Sequence, residues 1–253
     1  MKIINDFLIG LQFLTRIQLV NQTHWTEESF GRSVKYFPLV GLVIGLILVA
    51  LQLLFTFQLP QWGISLPSHT TTALLLLSMI TLSGGLTCDG FMDTMDGIFS
   101  GRSRERMMEI MKDSRVGANG VMAFLLLLLF KYSLLLDLPP DTLIKALVIT
   151  PVYGKFAMVI AITTFPYARS EGIGKAFAQF TNKHTLLTAA IFTITVGILS
   201  GLKTLLVLLA VIIFTVVLSK YITKILGGLT GDVYGAVNEL ADVVSLVMML
   251  ILV

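Results

Sequence analysis

Hydrophobic positions along this chain come in long runs, separated by short polar segments. The runs predict membrane-spanning helices at about 37–57, 68–88, 117–137, 142–164, 185–201, 204–222 and a shorter one from about 239 to 253. Each of the first six approaches the ~20 residues that cross ~30 Å of hydrocarbon. The last is short enough to be tilted or partly interfacial. Ahead of them, Ile3 to Val20 is largely apolar, with Asn5, Gln12 and Arg16 clustered on one helical face and Asp6 also inside the run. That pattern predicts a helix lying on or dipping into the interface. Its polar residues, and the lack of a clear small-residue cleavage site, argue against a cleavable signal. The expected fold class is all-α: a polytopic integral membrane helix bundle of about seven spans plus an N-terminal interfacial helix. With no strong internal repeat and no soluble linker, residues 1–253 read as a single membrane domain.

Composition agrees. Of 253 residues, 55% are hydrophobic and 13% charged, with mean hydropathy +0.88, whereas soluble domains carry about 25% charged residues. A soluble protein with one large core is excluded on that ground. The single cysteine, Cys88, rules out an intramolecular disulfide and leaves no thiolate cluster for zinc. The net charge of +3 gives no reason to invoke nucleic acid.

Charge distribution adds an orientation. Lys2, Arg16, Arg32 and Lys35 precede the first expected span, and Arg102, Arg104, Arg106, Lys112 and Arg115 follow the second. Arg169, Lys175 and Lys183 follow the fourth, and Lys220 and Lys224 end the sixth. Fourteen of the 18 Lys and Arg thus belong to one side, and of the opposite loops only the third carries a basic residue, Lys203. By the positive-inside rule the basic side is cytoplasmic, in the inner membrane of a prokaryote. The lipid bilayer is the expected partner, and the reading leaves room for a homo-oligomer.

Candidate chemistry begins at "CDGFMDTMDGIFSG", Cys88 to Gly101. Asp89, Asp93 and Asp96, spaced i, i+4, i+7, fall within a 60° arc of one helix face. Like charges so arranged repel and call for a cation, and magnesium takes carboxylate oxygens together with substrate phosphates. The competing reading is the start of a solvated loop. Gly90 and Gly97 each follow an aspartate and let another backbone or a ligand approach closely. Downstream, Arg102, Arg104, Arg106, Lys112 and Arg115 are suited to phosphate, or serve only as the topological signal. Arg115, beside Asp113, is the preferred candidate. A later acidic patch in "GGLTGDVYGAVNELADVV" holds Asp232 and Glu239 on one helical face, flanked by Asp242. A turn aspartate and a helix-terminal glutamate are the alternatives there. Lys131 and Lys155 lie inside expected spans, where a charge is a functional candidate by default. Lys131 is close enough to a helix end to snorkel. His24, His69 and His184 read as interfacial polar residues.

Taken together, "CDGFMDTMDG", "RMMEIMKDSRVGANGV", "FPYARSEGIGKAF" and "GGLTGDVYGAVNEL" resemble cobalamin synthase, the adenosylcobinamide-GDP ribazoletransferase family. "LQFLTRI" and "YFPLVGLVIG" fit as well, so the similarity runs from about Phe13 to Leu246. The resemblance implies a Mg2+-dependent enzyme that joins adenosylcobinamide-GDP to α-ribazole or its 5′-phosphate and releases GMP. It implies Asp89, Asp93, Asp96, Asp232 and Glu239 as metal ligands, with Asp93 and Asp96 catalytic and Asp96 favoured as base. Arg102, Lys112, Asp113, Arg115, Lys155 and Arg169 are the expected substrate-binding set. The chain departs from the family pattern at Thr87, where histidine is frequent, and at Ala241 and Asp242, where Gly-Glu is frequent.

Such a reaction is a phosphoryl transfer, catalysed mainly by positioning and charge neutralisation. Two rivals are weighed. A CDP-alcohol phosphotransferase carries D-G-x-x-A-R, but Asp93 and Thr94 stand at the Ala-Arg pair here. An ion-coupled transporter would hold carboxylates near the bilayer midplane on broken helices, often in paired repeats.

Overall fold

A buried proline and two facing glycines organise the centre of the molecule. The computed structural model describes residues 2–21 and 25–253, so His24 falls outside the described residues. Helix α1 (Lys2–Leu14) and α2 (Glu27–Ser33) lead through a 3-10 turn into α3 (Phe37–Leu53). A π turn over Leu54–Gln58 and the one-turn α4 (Leu59–Gln61) end this first span. Then come α5 (Ser68–Ser83), α6 (Leu86–Phe99), α7 (Arg104–Ile110), α8 (Ala118–Asp137) and α9 (Pro140–Thr164). The rest are α10 (Ile173–Gln179), α11 (Lys183–Ser200), α12 (Thr204–Leu226) and α13 (Gly231–Leu252).

Six helices are long and apolar enough to cross a membrane, or seven when the bent pair α5 and α6 counts as one span. The all-α membrane bundle expected from the sequence is therefore the observed fold. Helix α9 is buried on every side between Ile149 and Ile162, as befits a helix that is apolar nearly all round, Lys155 being the one charge in that stretch. Pro151 interrupts its backbone ladder mid-length. Against that interruption α3 presents Gly41 and Gly45, where a Cβ would lie 2.3 Å from the Pro151 carbonyl oxygen and 2.8 Å from that of Leu147. Small residues four apart let two membrane helices approach to backbone contact, and here they seat α3 on α9.

Three expectations change. The span drawn at 68–88 ends at Ser83, and α6 leaves it at 89°. Gly84 and Gly85 both take left-handed conformations (φ +64° and +72°), which residues with a Cβ rarely adopt. The last span starts at Gly231 rather than 239 and runs 22 residues. Its acidic residues are neutralised inside the bundle, so charge did not have to mark its boundary. The N-terminal helix ends at Leu14 and packs inward. Ile9, Leu11 and Leu14 are buried, and Asp6, itself buried, pairs with Arg32 of α2 at 3.2 Å. Ile3 and Ile4 remain exposed at its start.

Candidate active site

Helix α6 runs antiparallel to the start of α13, since Gly90 meets Asp232 while Thr87 meets Gly235. A Cβ on Gly90 would lie 2.7 Å from the Asp232 carbonyl oxygen, and one on Gly235 2.9 Å from that of Thr87. The close crossing sets the first acidic patch beside the later one. Thr230 caps α13 by accepting the Val233 N–H at 3.2 Å, which puts Asp232 in its first turn.

A strap over Phe165–Gly172 closes the other side. Ala168 N–H donates to the Leu229 carbonyl and Leu229 N–H to that of Pro166, both at 2.8 Å. This short ladder delivers Arg169 to Asp232, Nη2 to Oδ2 at 2.7 Å. Asp93, half-buried, lies within the electrostatic reach of Asp89, Asp232, Asp96 and Arg169. Asp89, Asp232, Lys112, Arg169 and Glu171 line one cavity of about 420 Å³. Its apolar wall includes Phe13, Met158, Tyr167, Ile173, Phe177 and Tyr234, with Phe13 and Phe177 edge to face at 5.2 Å.

Asp96 is occupied differently. Its two oxygens accept the Gly117 N–H at 2.7 Å and the Gly120 N–H at 2.8 Å. It thereby caps α8, where a negative charge complements the helix dipole. The geometry therefore employs Asp96 in joining α6 to α8, with Gly117 and Gly120 leaving room for its carboxylate.

Glu239 belongs to a second polar cluster. Lys131 Nζ of α8 donates to Glu239 Oε2 at 2.6 Å and Asp242 Oδ2 at 3.0 Å. Thr87 Oγ1 donates to Glu239 Oε1 at 2.6 Å, and Lys155 Nζ of α9 to Asn238 Oδ1 at 3.0 Å. All four charged side chains are buried. Lys131 therefore does not snorkel: two carboxylates on α13 hold it inside the bundle. Lys155 faces this cluster too, and does not line the 420 Å³ cavity. Two lysines balance two carboxylates, and removing one partner of such a buried pair typically costs ~3–5 kcal/mol.

The remaining expected residues lie at the periphery. Arg115 and Asp113 form an exposed pair at 2.7 Å, and the Arg115 side chain and backbone N–H hold the Asp113 carboxyl down at about 2. Neither lines the cavity, and nor does Arg102, exposed just after α6. Sequence reasoning missed Tyr167, Tyr234, Phe13, Phe177 and Glu171. The motif "FPYARSEGIGKAF" contains Tyr167, Glu171 and Phe177, but nothing in the spacing of these residues marks them as neighbours.

Among the described residues, no three His, Cys, Asp or Glu side chains stand close enough together to hold a metal ion. The donor chemistry nevertheless fits magnesium. Asp89, Asp93 and Asp232 offer only oxygens, and this ion is usually held by one or two carboxylates completed by phosphate and water.

A model of the cobalamin-5-phosphate synthase family matches residues 6–250. The chain belongs to that family. It is 38% identical over 198 residues to the adenosylcobinamide-GDP ribazoletransferase of Fusobacterium nucleatum subsp. nucleatum, covering 76% of this chain and 71% of that relative. The same-named protein of Acetivibrio thermocellus is 39% identical over 200 residues, 79% of this chain and 78% of its own. That of Clostridium novyi is 34% identical over 248 residues, 97% and 96% of the two chains. No solved structure matches the chain. The stretch that matches the family model contains both acidic patches and the strap between them.

Proposed function

We infer that this chain joins adenosylcobinamide-GDP to α-ribazole or its 5′-phosphate and releases GMP, the nucleotide-loop assembly step of cobalamin biosynthesis. Family membership and the names of the relatives support the reaction. The observation that gives it a site is one cavity in which Asp89 and Asp232 face Lys112 and Arg169.

In this reading a ribose hydroxyl of the ribazole attacks the phosphorus that bears the cobinamide. An O–P bond forms, the bridging P–O bond of the diphosphate breaks, and GMP leaves with the electron pair. Lys112 and Arg169 bind the phosphates, the planar guanidinium matching two oxygens at once. Arg169 leaves Asp232 as it does so. Asp93, one turn beyond Asp89 on α6 and free of the backbone bonds that engage Asp96, accepts the hydroxyl proton. Magnesium would be held by Asp89 and Asp232, with the substrate phosphates and water completing its shell, and would supply neutralisation of the diphosphate charge. The cavity is in the roughly 300–1,000 Å³ range of pockets that enclose drug-sized ligands, so it takes the nucleotide end while the corrin ring stays at the mouth.

The site opens to the cytoplasm of a prokaryotic cell, across whose inner membrane the bundle lies. The support is the gathering of basic segments at this end: Arg104 packs over Gly227, and Arg169 Nη2 reaches the Met111 carbonyl at 3.5 Å. Cysteines at Ser103 and Thr181, in a Cys88-free background, are expected to label only from the cytoplasm, and one at Gln61 only from outside. Labelling of position 103 from outside would reverse the orientation.

The function is tested with purified protein, adenosylcobinamide-GDP, α-ribazole and magnesium. GMP release that requires all three supports it. Release of CMP from a CDP-alcohol, with no GMP, would favour the lipid-type phosphotransferase instead.

A further inference from the structure

The Lys131 cluster is unexplained by binding or chemistry, because neither lysine lines the cavity that holds Asp89 and Asp232. Its cost makes the question sharper. Well-packed apolar side chains of similar volume often hold helices together as well as a buried ion pair does, or better. What an ion pair adds is a single register. Apolar helix faces slide over one another with little penalty, whereas a bidentate ammonium fixes one alignment.

The alignment at stake is that of α6. This helix begins directly after the Gly84–Gly85 break and has no side-chain cap at its start. Its first turn is joined to α13 by the Thr87 hydroxyl on Glu239, at 2.6 Å. Asp89 follows two residues later, opposite Asp232 on the same two helices. Glu239 is held from its other oxygen by Lys131, which also holds Asp242, and Asp242 packs where a Cβ on Gly154 of α9 would lie 2.1 Å from its Oδ1. The chain of contacts therefore runs from the core helix α9 through α13 and α8 to the first turn of α6.

We propose that Lys131 is a positioning residue for the transfer reaction, acting through Glu239 and Thr87 to fix the register of Asp89 against Asp232. This rests on the reading of the site as the ribazole-transferring centre. Lys131 itself touches no reacting group.

The test is the double variant Lys131→Met/Glu239→Gln, which removes one charge of each sign and leaves Lys155 with Asp242. Two quantities are read: kcat and KM for both substrates, and hydrogen exchange of peptides over 86–93 and over α9. Misplacing a reacting group costs rate rather than affinity, so kcat is expected to fall about 10–100-fold with each KM within about threefold. Exchange is expected to rise over 86–93 and stay unchanged in α9. A purely structural role would raise exchange in both segments together. Wild-type kcat, or lost turnover with unchanged exchange over 86–93, would overturn the proposal. If the double variant does not fold, Glu239→Gln alone is read in the same way, since Lys131 keeps Asp242. The exchange measurement needs no substrate, so failure of the link from Lys131 to α6 is distinguished from failure of the wild-type protein to release GMP.

Discussion

Asp89→Ala and Asp93→Ala are each expected to abolish turnover, by more than ~100-fold, while the protein inserts and folds as wild type. Both carboxylates sit on the open part of α6, Asp89 exposed to the cavity and Asp93 half-buried beside it. Among the described residues, neither side chain has a hydrogen-bond partner whose loss would loosen a helix. Losses of that size follow when a group that stabilises developing charge is removed. Asp96→Ala gives the contrast. It strips the N–H groups of Gly117 and Gly120 of their acceptor, and a lost cap costs about 0.5–2 kcal/mol. Its activity and its thermal midpoint are therefore expected to fall together. The measurement is kcat beside thermal unfolding in detergent for the three variants. Near-normal turnover in Asp89→Ala and Asp93→Ala would remove α6 from the chemistry.

Much of the fold was legible because its signal is local. Runs of apolar residues gave the spans, and Asp89, Asp93 and Asp96 do fall on one helix. The start of α13 is less legible, because its apolar run begins only at about 239 whereas the helix starts at Gly231. Inside α13, Glu239 and Asp242 are both held by Lys131, more than a hundred residues earlier, and Lys155 supplies the second positive charge. No local pattern carries a pairing over that distance. Asp96 differs from its neighbours in a way the sequence does not carry, because its carboxylate accepts the Gly117 and Gly120 N–H groups of α8. Three carboxylates in a 60° arc look equivalent until a neighbouring helix start turns toward one of them. The strap was legible as a motif but not as a device. Its Arg169 reaches Asp232 because Leu229 forms two backbone bonds to the strap, one with Ala168 and one with Pro166, and the aromatic wall behind it comes from four separate elements.

Asp232→Asn is expected to lower turnover about 100-fold at low magnesium and to recover part of that loss as magnesium is raised. Asp232 has two neighbours that constrain this outcome. Arg169 neutralises it in the resting structure at 2.7 Å, and Thr230 donates to the same oxygen, Oδ2, at 3.3 Å. Asparagine preserves the shape and can still accept from both, so the helix start is retained and expression should not change. What disappears is the negative charge beside Asp89 and Asp93. If that charge helps hold a cation, its loss weakens binding, and mass action at higher concentration restores occupancy. If Asp232 serves only to anchor Arg169, the outcome differs: the guanidinium is released toward the phosphates, KM for the diphosphate substrate changes, and added magnesium recovers nothing. Arg169→Ala separates the two further, because it frees Asp232 and should raise that KM without raising the magnesium requirement. The deciding measurement is turnover against magnesium concentration for wild type, Asp232→Asn and Arg169→Ala. A curve for Asp232→Asn that overlays wild type at every concentration would confine the site to α6.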